Sequence, residues 1–152
     1  MSATPYLRRY LKDDYFNIER RFYDLKTFNN WPDPKVIGNL LGSGISYTGV
    51  ETETEKIIFC MGVRPVWKGV CECWVVSSGL VPKYKIFFHK SACSILGEAK
   101  VYYNAVRMQT VIHSEHTTSQ RWVEALGFNW EGILRKYIDG EDYFRYAWLK
   151  TA

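Results

Sequence analysis

The hydrophobic side chains near the N-terminus recur every three or four residues, the period of a helix with one buried face. This spacing predicts a helix over Lys12–Phe28 and a shorter second helix over Pro34–Leu41. Asp33 can cap the second helix, and a proline is favoured in a first helical turn. The segment ahead of them, Thr4–Tyr10, can supply a strand.

The middle of the chain changes to the short apolar runs that are typical of strands. Three strands are predicted at Ile45–Thr52, Lys56–Val63 and Val70–Ser78, and their spacing indicates a meander. After Pro82 an apolar stripe at helical spacing predicts a long helix over Lys83–Ala105.

The last third of the chain predicts a strand, a helix and a hairpin. The strand covers Met108–Ser114, and the helix covers Thr117–Leu126 and ends at Gly127. The hairpin turns at Asp139-Gly140, a pair that suits a tight two-residue turn.

A helical crossover joins the strands Val70–Ser78 and Met108–Ser114, which should therefore be parallel neighbours. We expect the long helix and the C-terminal helix on opposite faces of the sheet. The sequence thus predicts one domain over residues 1–152, of the α/β (α+β) class. Its mixed, mostly antiparallel sheet should have six or seven strands, helices on both faces and one parallel pair.

Composition favours a single globular domain, since 47% of the 152 residues are hydrophobic and 16% are aromatic. The formal charge is +4, but the basic residues are spread along the chain, so no nucleic-acid partner is predicted. No segment resembles a signal peptide or a membrane span, which favours a soluble protein of a cytoplasm or a particle.

The cysteines and tryptophans add two expectations. The four cysteines are predicted to be buried thiols rather than disulfides, and no metal site is predicted, since no ligand cluster of suitable spacing is visible. Trp31, Trp67 and Trp130 lie in predicted turns or strand ends, where exposed aromatic rings would indicate a protein contact.

The C-terminal third closely resembles the end of a GNAT-type acyltransferase domain. That family usually carries Asn-x-x-Ser/Ala-x-x-x-Tyr-x-x-Leu-Gly-Phe here, and this chain keeps the residues Ser119, Leu126, Gly127 and Phe128. It has His116 in place of the asparagine and Val123 in place of the tyrosine, the family's usual general acid. The resemblance implies that Val70–Ser78 and Met108–Ser114 splay apart where acyl-CoA enters.

The resemblance also implies a cofactor loop, Arg/Gln-x-x-Gly-x-Gly/Ala, between the fourth strand and the long helix. Glycines there let backbone N–H groups close on a pyrophosphate at a helix N-terminus. This chain has Gly79 and then no glycine until Gly97, and Pro82 removes one N–H donor. No cofactor is therefore expected. If acetyl-CoA is bound, its candidate ligands are Ser77, Ser78, Lys83 and Lys85. The favoured alternative for the two lysines is that they are ordinary solvated residues of a first helical turn.

Glu72 is the candidate catalytic residue, because it stands where many GNAT enzymes place a carboxylate base for the incoming amine. Burial beside aromatic side chains would raise its proton affinity. The alternative is a solvated glutamate at a strand end.

A narrower resemblance concerns Cys71–Ser78 ("CECWVVSS") and the C-terminal hairpin, which are similar to the GNAT-like internal virion proteins of short-tailed bacteriophages. Two hypotheses follow. The first is a non-catalytic virion component or assembly factor that binds phage or host proteins, in the virion or the host cytoplasm. The second is a divergent N-acetyltransferase that transfers acetyl from acetyl-CoA to an amine. A homo-oligomer paired through the C-terminal strands is compatible with either.

Overall fold

The computed structural model describes residues 4–31 and 33–151, which form one seven-stranded sheet with helices on both faces. The sheet order is β1-β2-β3-β4-β5-β7-β6. The strands are β1 (Tyr6–Arg9), β2 (Ile45–Val50), β3 (Ile57–Trp67), β4 (Val70–Ser77), β5 (Arg107–His113), β6 (Asn129–Ile138) and β7 (Glu141–Leu149). The helices are α1 (Asp14–Asn17), α2 (Phe22–Phe28), α3 (Pro34–Leu41), α4 (Lys85–Tyr102) and α5 (Thr117–Ala125).

The pairing of the strands confirms the predicted sheet. Every neighbouring pair is antiparallel except β4 and β5, which are parallel. The hairpin between β6 and β7 turns at Asp139 and Gly140, whose φ angles of 53° and 75° are those of a type I′ turn.

The N-terminal helix differs from the prediction. One helix was expected over Lys12–Phe28, but the chain forms α1 and α2 with an extended break between them. Ile18 has extended angles (φ −78°, ψ 137°), and Arg20 pairs with Ser78 as an isolated antiparallel bridge. The pairing of this segment with β4 supplies hydrogen bonds that a continuous helix would make within itself, and it overrides the helical period.

The long helix α4 is shorter than predicted, and α5 lies on the same face of the sheet as α4 rather than on the opposite one. A 3-10 turn over Val81–Tyr84 precedes α4, which ends at Tyr102 rather than Ala105. The prediction that α4 and α5 lie on opposite faces is wrong. Phe88 of α4 and Trp122 of α5 stack with ring centroids 4.6 Å apart, so both helices share one apolar layer.

Two core clusters lie on the two faces of the sheet. The α4/α5 face buries Phe59, Met61 and Phe128 among others, whereas α1 and α3 cover the other face over Trp74 and Val76. β4 contributes to both clusters because successive side chains of a strand point to opposite faces. The side chains of β4 therefore face both apolar layers of the molecule.

The C-terminal stop of α5 follows the prediction in part. Gly127 has φ +96°, the left-handed conformation expected of a helix C-terminus, and Phe128 is buried. Leu126 was expected to be buried as well but is only half-buried.

The four cysteines are free thiols. Cys60 and Cys71 are buried as predicted, but Cys73 is half-buried and Cys93 is exposed, because Cys93 lies on the outer side of α4. Among residues 4–31 and 33–151 no group of three His, Cys, Asp or Glu side chains is placed to hold a metal ion. Nor does this part of the chain contain a helix long and apolar enough to cross a membrane.

Candidate functional site

β4 and β5 stay together for only three residues and then separate. Val70–Glu72 pair with Arg107–Gln109, and the rest of β4 does not pair with β5. The strands therefore splay toward their C-terminal ends. The resemblance to GNAT domains implied a splay at this position.

Two cavities meet at the splay. A large cleft of about 670 Å³ lies between α2, α4 and α5, and an inner cavity of about 250 Å³ lies on the α2 and α3 side. Tyr23, Asp24, Val75 and His116 line both. A ligand in either cavity would therefore contact the same short stretch of α2 and β4.

The edge of β4 that faces the splay is occupied by the chain itself. The backbone N–H of Arg21 donates to the carbonyl of Ser77 at 3.1 Å, and the backbone N–H of Ser77 donates to the Asp24 carboxylate at 2.8 Å. The Ser77 hydroxyl donates to the same carboxylate oxygen, also at 2.8 Å. Arg20 pairs with Ser78 beside these contacts. We refer to residues Arg20–Asp24 as the strap.

Asp24 is the most perturbed carboxyl group of the two cavities. Burial raises its pKa to about 6, although the hydrogen bonds from Ser77 and the charges of Arg21 and Arg20 act in the opposite direction. A carboxyl group with this pKa exchanges its proton near neutral pH. No sequence motif marks Asp24, because its environment depends on contact with a residue 53 positions away.

The backbone N–H groups of the loop between β4 and α4 donate hydrogen bonds within the loop itself. The N–H groups of Leu80 and Val81 donate to the hydroxyl and carbonyl oxygens of Ser78, at 3.2 and 3.3 Å. The N–H of Lys83 donates to the carbonyl of Leu80 at 3.1 Å, and Pro82 has no N–H to offer. These donors close a 3-10 turn instead of converging on a ligand.

The four candidate cofactor residues are divided by the fold. Ser77 and Lys85 line the large cleft, whereas Ser78 is buried and donates from its hydroxyl to the Ile58 carbonyl at 2.8 Å. Lys83 is bound to the buried Glu51 at 3.1 Å and does not line the cleft.

The partner of Lys83 is strongly acidic. Hydrogen bonds from Tyr84, Thr54 and Lys83 lower the pKa of Glu51 to about 2. Glu51 therefore stays ionised under ordinary conditions and holds the ammonium group of Lys83 away from the cleft entrance.

Glu72 lies at the closed end of the splay and lines the inner cavity. Its carboxylate accepts a hydrogen bond from the Gln109 side chain at 2.9 Å and lies 3.4 Å from the Arg145 guanidinium. This arrangement ties β4 to β5 and β7.

The position of the family's general acid holds no acid. Val123 is buried in the core between α5 and the sheet. His116 and Ser119, at the start of α5, line both cavities. The His116 ring stacks on the Tyr23 ring with centroids 4.3 Å apart and lies 3.1 Å from the Ser119 hydroxyl. Burial lowers the pKa of His116, as do the charges of Arg21 and His113.

Sequence comparisons leave the chain without a match, since neither a family model nor a curated protein sequence is similar to it. Solved structures do resemble it. A ribosomal-protein-S5-alanine acetyltransferase from Vibrio fischeri matches with a TM-score of 0.71 at 16% identity, covering 98% of this chain and 96% of that one. A GNAT-family acetyltransferase from Bacillus anthracis matches with a TM-score of 0.68 at 18% identity, covering 98% and 96%.

A spermidine N-acetyltransferase variant from Vibrio cholerae matches with a TM-score of 0.67 at 15% identity, covering 95% of this chain and 93% of that one. These TM-scores establish the fold, and sequence identities this low establish nothing beyond it. The chain has the GNAT fold over nearly its whole length, and what its site does is a separate question.

Proposed function

We propose that this GNAT-fold chain does not transfer acetyl groups and that it acts by binding other proteins, as a phage virion component or assembly factor. The observation that carries the proposal is the strap. Arg21 and Asp24 already use the backbone groups of Ser77 at the edge where the resemblance places acyl-CoA entry. A cofactor pairing with this edge would have to displace them.

The loop between β4 and α4 also supports the proposal that no acetyl-CoA is bound. A pyrophosphate needs several N–H donors that converge on it at a helix N-terminus. Leu80, Val81 and Lys83 donate within the loop, and Pro82 cannot donate. If these N–H groups were to bind a pyrophosphate, their present hydrogen bonds would have to break, and Lys83 could contribute its ammonium group only by leaving Glu51.

The site also lacks a free general base and a general acid at the positions that the family uses. Direct acetyl transfer needs a base for the amine and an acid for the leaving thiolate. Glu72 is engaged by Gln109 and Arg145, and Val123 replaces the acid that the family uses.

A role in protein binding is supported by the helices that cover the cavities. They expose the large apolar side chains of Phe22, Leu25 and Val36, and a patch of such side chains can mark a protein contact. The edge strand β6 exposes Trp130 and Ile133, so pairing of two copies through C-terminal strands stays compatible with the fold. The virion role, and a location in the virion or host cytoplasm, rest on the resemblance of Cys71–Ser78 and the hairpin to internal virion proteins.

One observation favours the alternative, a divergent N-acetyltransferase. Asp24 lies where the two cavities meet, and burial raises its pKa to about 6, which suits a general base. In that case Asp24 or Glu72 would accept the amine proton, and Ser77 and Lys85 would contact acetyl-CoA.

Calorimetric titration with acetyl-CoA and with CoA separates the two functions. We expect a Kd no better than about 1 mM for both compounds. Micromolar binding that weakens in Lys85→Ala, but not in the matched control Lys90→Ala on the exposed side of α4, would contradict the proposal. Turnover with an amine acceptor, lost in Asp24→Asn or Glu72→Gln, would then establish the enzyme.

The virion role has its own test. We expect antibody against the chain to detect it in gradient-purified phage particles, at a constant ratio to the capsid protein. Its absence from the particles would leave assembly factors and host-directed proteins as the remaining roles in this class.

A further inference from the structure

The end of the sheet opposite the splay presents a cluster of protruding apolar side chains. Trp67, Val101, Tyr102, Val106 and Leu149 are 70%, 84%, 74%, 53% and 54% exposed. We refer to these five residues as the apolar end. Exposure of this degree means that the side chains project from the surface and do not line a groove.

Hydrogen bonds join the segments that carry these residues. The N–H of Val106 donates to the carbonyl of Gly69 at 2.8 Å, in the turn that follows Trp67. The N–H of Lys150 donates to the carbonyl of Val106 at 2.9 Å, next to Leu149. Val101 and Tyr102 form the last turn of α4, which leads directly into this region. The four segments that carry the apolar end therefore lie next to one another at this end of the sheet.

The charged side chains around the apolar end are three lysines and the ion pair of Arg107 with Glu131, which join at 2.6 Å. Lys68, Lys100 and Lys150 flank it, and no Asp or Glu occurs in residues 64–70, 100–107 or 148–151. Among the residues that the structure describes, none of these three lysines has a carboxylate within salt-bridge distance. Lys100 lies over the Trp148 ring at 4.3 Å, which keeps its ammonium group at this end.

This combination selects among partners. A second copy facing the first would bring the three lysines close to lysines of the same sign, which opposes association. Nucleic acid would match the charge but offers no hydrocarbon for Val101, Val106 and Leu149. An anionic lipid surface offers both, because aliphatic side chains enter the acyl boundary, aromatic rings lie at the headgroup level and lysines meet the phosphates.

We propose that the apolar end is a peripheral contact site for anionic phospholipid bilayers. The contact would be reversible, since five apolar side chains and three lysines supply a shallow insertion and a modest electrostatic attraction. It places the splay and its cavities on the side away from the lipid. The proposal is independent of whether the chain binds acetyl-CoA.

Vesicle flotation of the full chain tests the site. We expect binding to phosphatidylcholine vesicles that contain phosphatidylglycerol, weak or no binding to pure phosphatidylcholine, and a loss of binding at high salt. Lys68→Ala and Lys150→Ala should each lower the partition coefficient about fivefold. Lys56→Ala, a matched exposed lysine in the β2–β3 connection, should leave it unchanged.

The apolar contribution has its own matched pair. Val101→Ser should lower the partition coefficient roughly tenfold, whereas Ile86→Ser, at the other end of α4 and 73% exposed, should have no effect. Both side chains are exposed, so neither change disturbs the core. The absence of vesicle binding, equal binding to neutral vesicles, or equal effects of Ile86→Ser and Val101→Ser would overturn the proposal. A dimer in sedimentation analysis that Val101→Ser dissociates would also overturn it, and would assign the surface to a second copy.

Discussion

The Asp24 carboxylate accepts two hydrogen bonds of 2.8 Å from Ser77, one from the backbone N–H and one from the hydroxyl. This contact joins α2 to the C-terminal end of β4 across the opening of the splay. It matters for function because Asp24, together with the backbone of Arg20 and Arg21, occupies the strand edge. It matters for stability because burial has raised the pKa of the Asp24 carboxyl group.

The first prediction is a pH dependence of stability caused by Asp24. The folded-state pKa of about 6 lies above the unfolded value, so the folded state binds the proton more tightly between pH 4 and 6. The contribution of this group to the free energy of unfolding therefore falls as the pH rises through that window, by up to about 3 kcal/mol. Asp24→Asn keeps an oxygen acceptor for Ser77 and should remove this loss.

The measurement is a series of denaturant unfolding curves of the parent and Asp24→Asn between pH 4 and 7. Comparing the two proteins is necessary because the lowered pKa of His116 gives the opposite trend, a loss of stability as the pH falls below its unfolded value. A difference between parent and variant that stays constant over the whole range would show that Asp24 titrates normally.

The second prediction concerns Asp14, a buried anchor of the N-terminus. Its carboxylate accepts hydrogen bonds from both guanidinium nitrogens of Arg8 at 2.8 and 2.9 Å, from the Leu11 N–H at 2.8 Å and from Thr48 at 2.7 Å. Burial alone would raise the pKa of Asp14, but these partners outweigh it and lower the pKa.

Asp14→Ala leaves these donors without an acceptor and should cost about 3 to 5 kcal/mol of unfolding free energy. The neighbouring Asp13 is exposed, and Asp13→Ala should stay within about 0.5 kcal/mol of the parent. Similar denaturation midpoints for the two variants would mean that the Arg8 pair does not hold β1 to the sheet.

The third prediction concerns the end of α5. Phe128 is buried, so Phe128→Ala should cost about 3 to 5 kcal/mol. Gly127 has φ +96°, a backbone conformation that is strained for valine, so Gly127→Val should destabilise the protein. A steric clash would not contribute, since an added Cβ would meet no atom closer than Trp148 at 3.7 Å.

Gly97 is the matched control for that strain. It lies inside α4 with open space around it and no positive φ, so Gly97→Ala should stabilise the protein by about 0.5 to 1 kcal/mol. Thermal or chemical melts of Gly97→Ala and Gly127→Val should therefore move in opposite directions. Equal changes in the melting midpoint of the two variants would contradict the explanation that the positive φ of Gly127 causes the destabilisation.

The fourth prediction concerns thiol reactivity. Cys93 is exposed, whereas burial raises the pKa of Cys60 to about 12 and also raises the pKa values of Cys71 and Cys73. Because the thiolate is the reactive form, the native protein should show one rapidly modified thiol and three that react only after unfolding. A colorimetric disulfide reagent measures both phases, and Cys93→Ser should abolish the rapid one. A rapid phase that persists in this variant would point to Cys73.

Much of the fold was determined by the sequence, because its signals are local. Asp33 caps α3 by accepting the Lys35 N–H, the Asp139-Gly140 pair makes the hairpin turn, and Gly127 ends α5. Each feature depends on the conformation of two or three adjacent residues. The parallel pair of β4 and β5 was also determined, since a long helical crossover between two strands leaves little other choice.

The state of the site was decided by tertiary structure. The periodicity of residues 12–28 favours one helix, yet pairing with β4 breaks it and delivers Asp24 to Ser77. Lys83 has the spacing of a phosphate ligand, yet Glu51, 32 positions away, binds it. The sequence could show that the cofactor loop lacks glycines. The sequence could not show that Arg21 and Asp24 occupy the edge of β4 at Ser77. These contacts join residues 53 or more positions apart, and the local spacing of residues carries no signal for them.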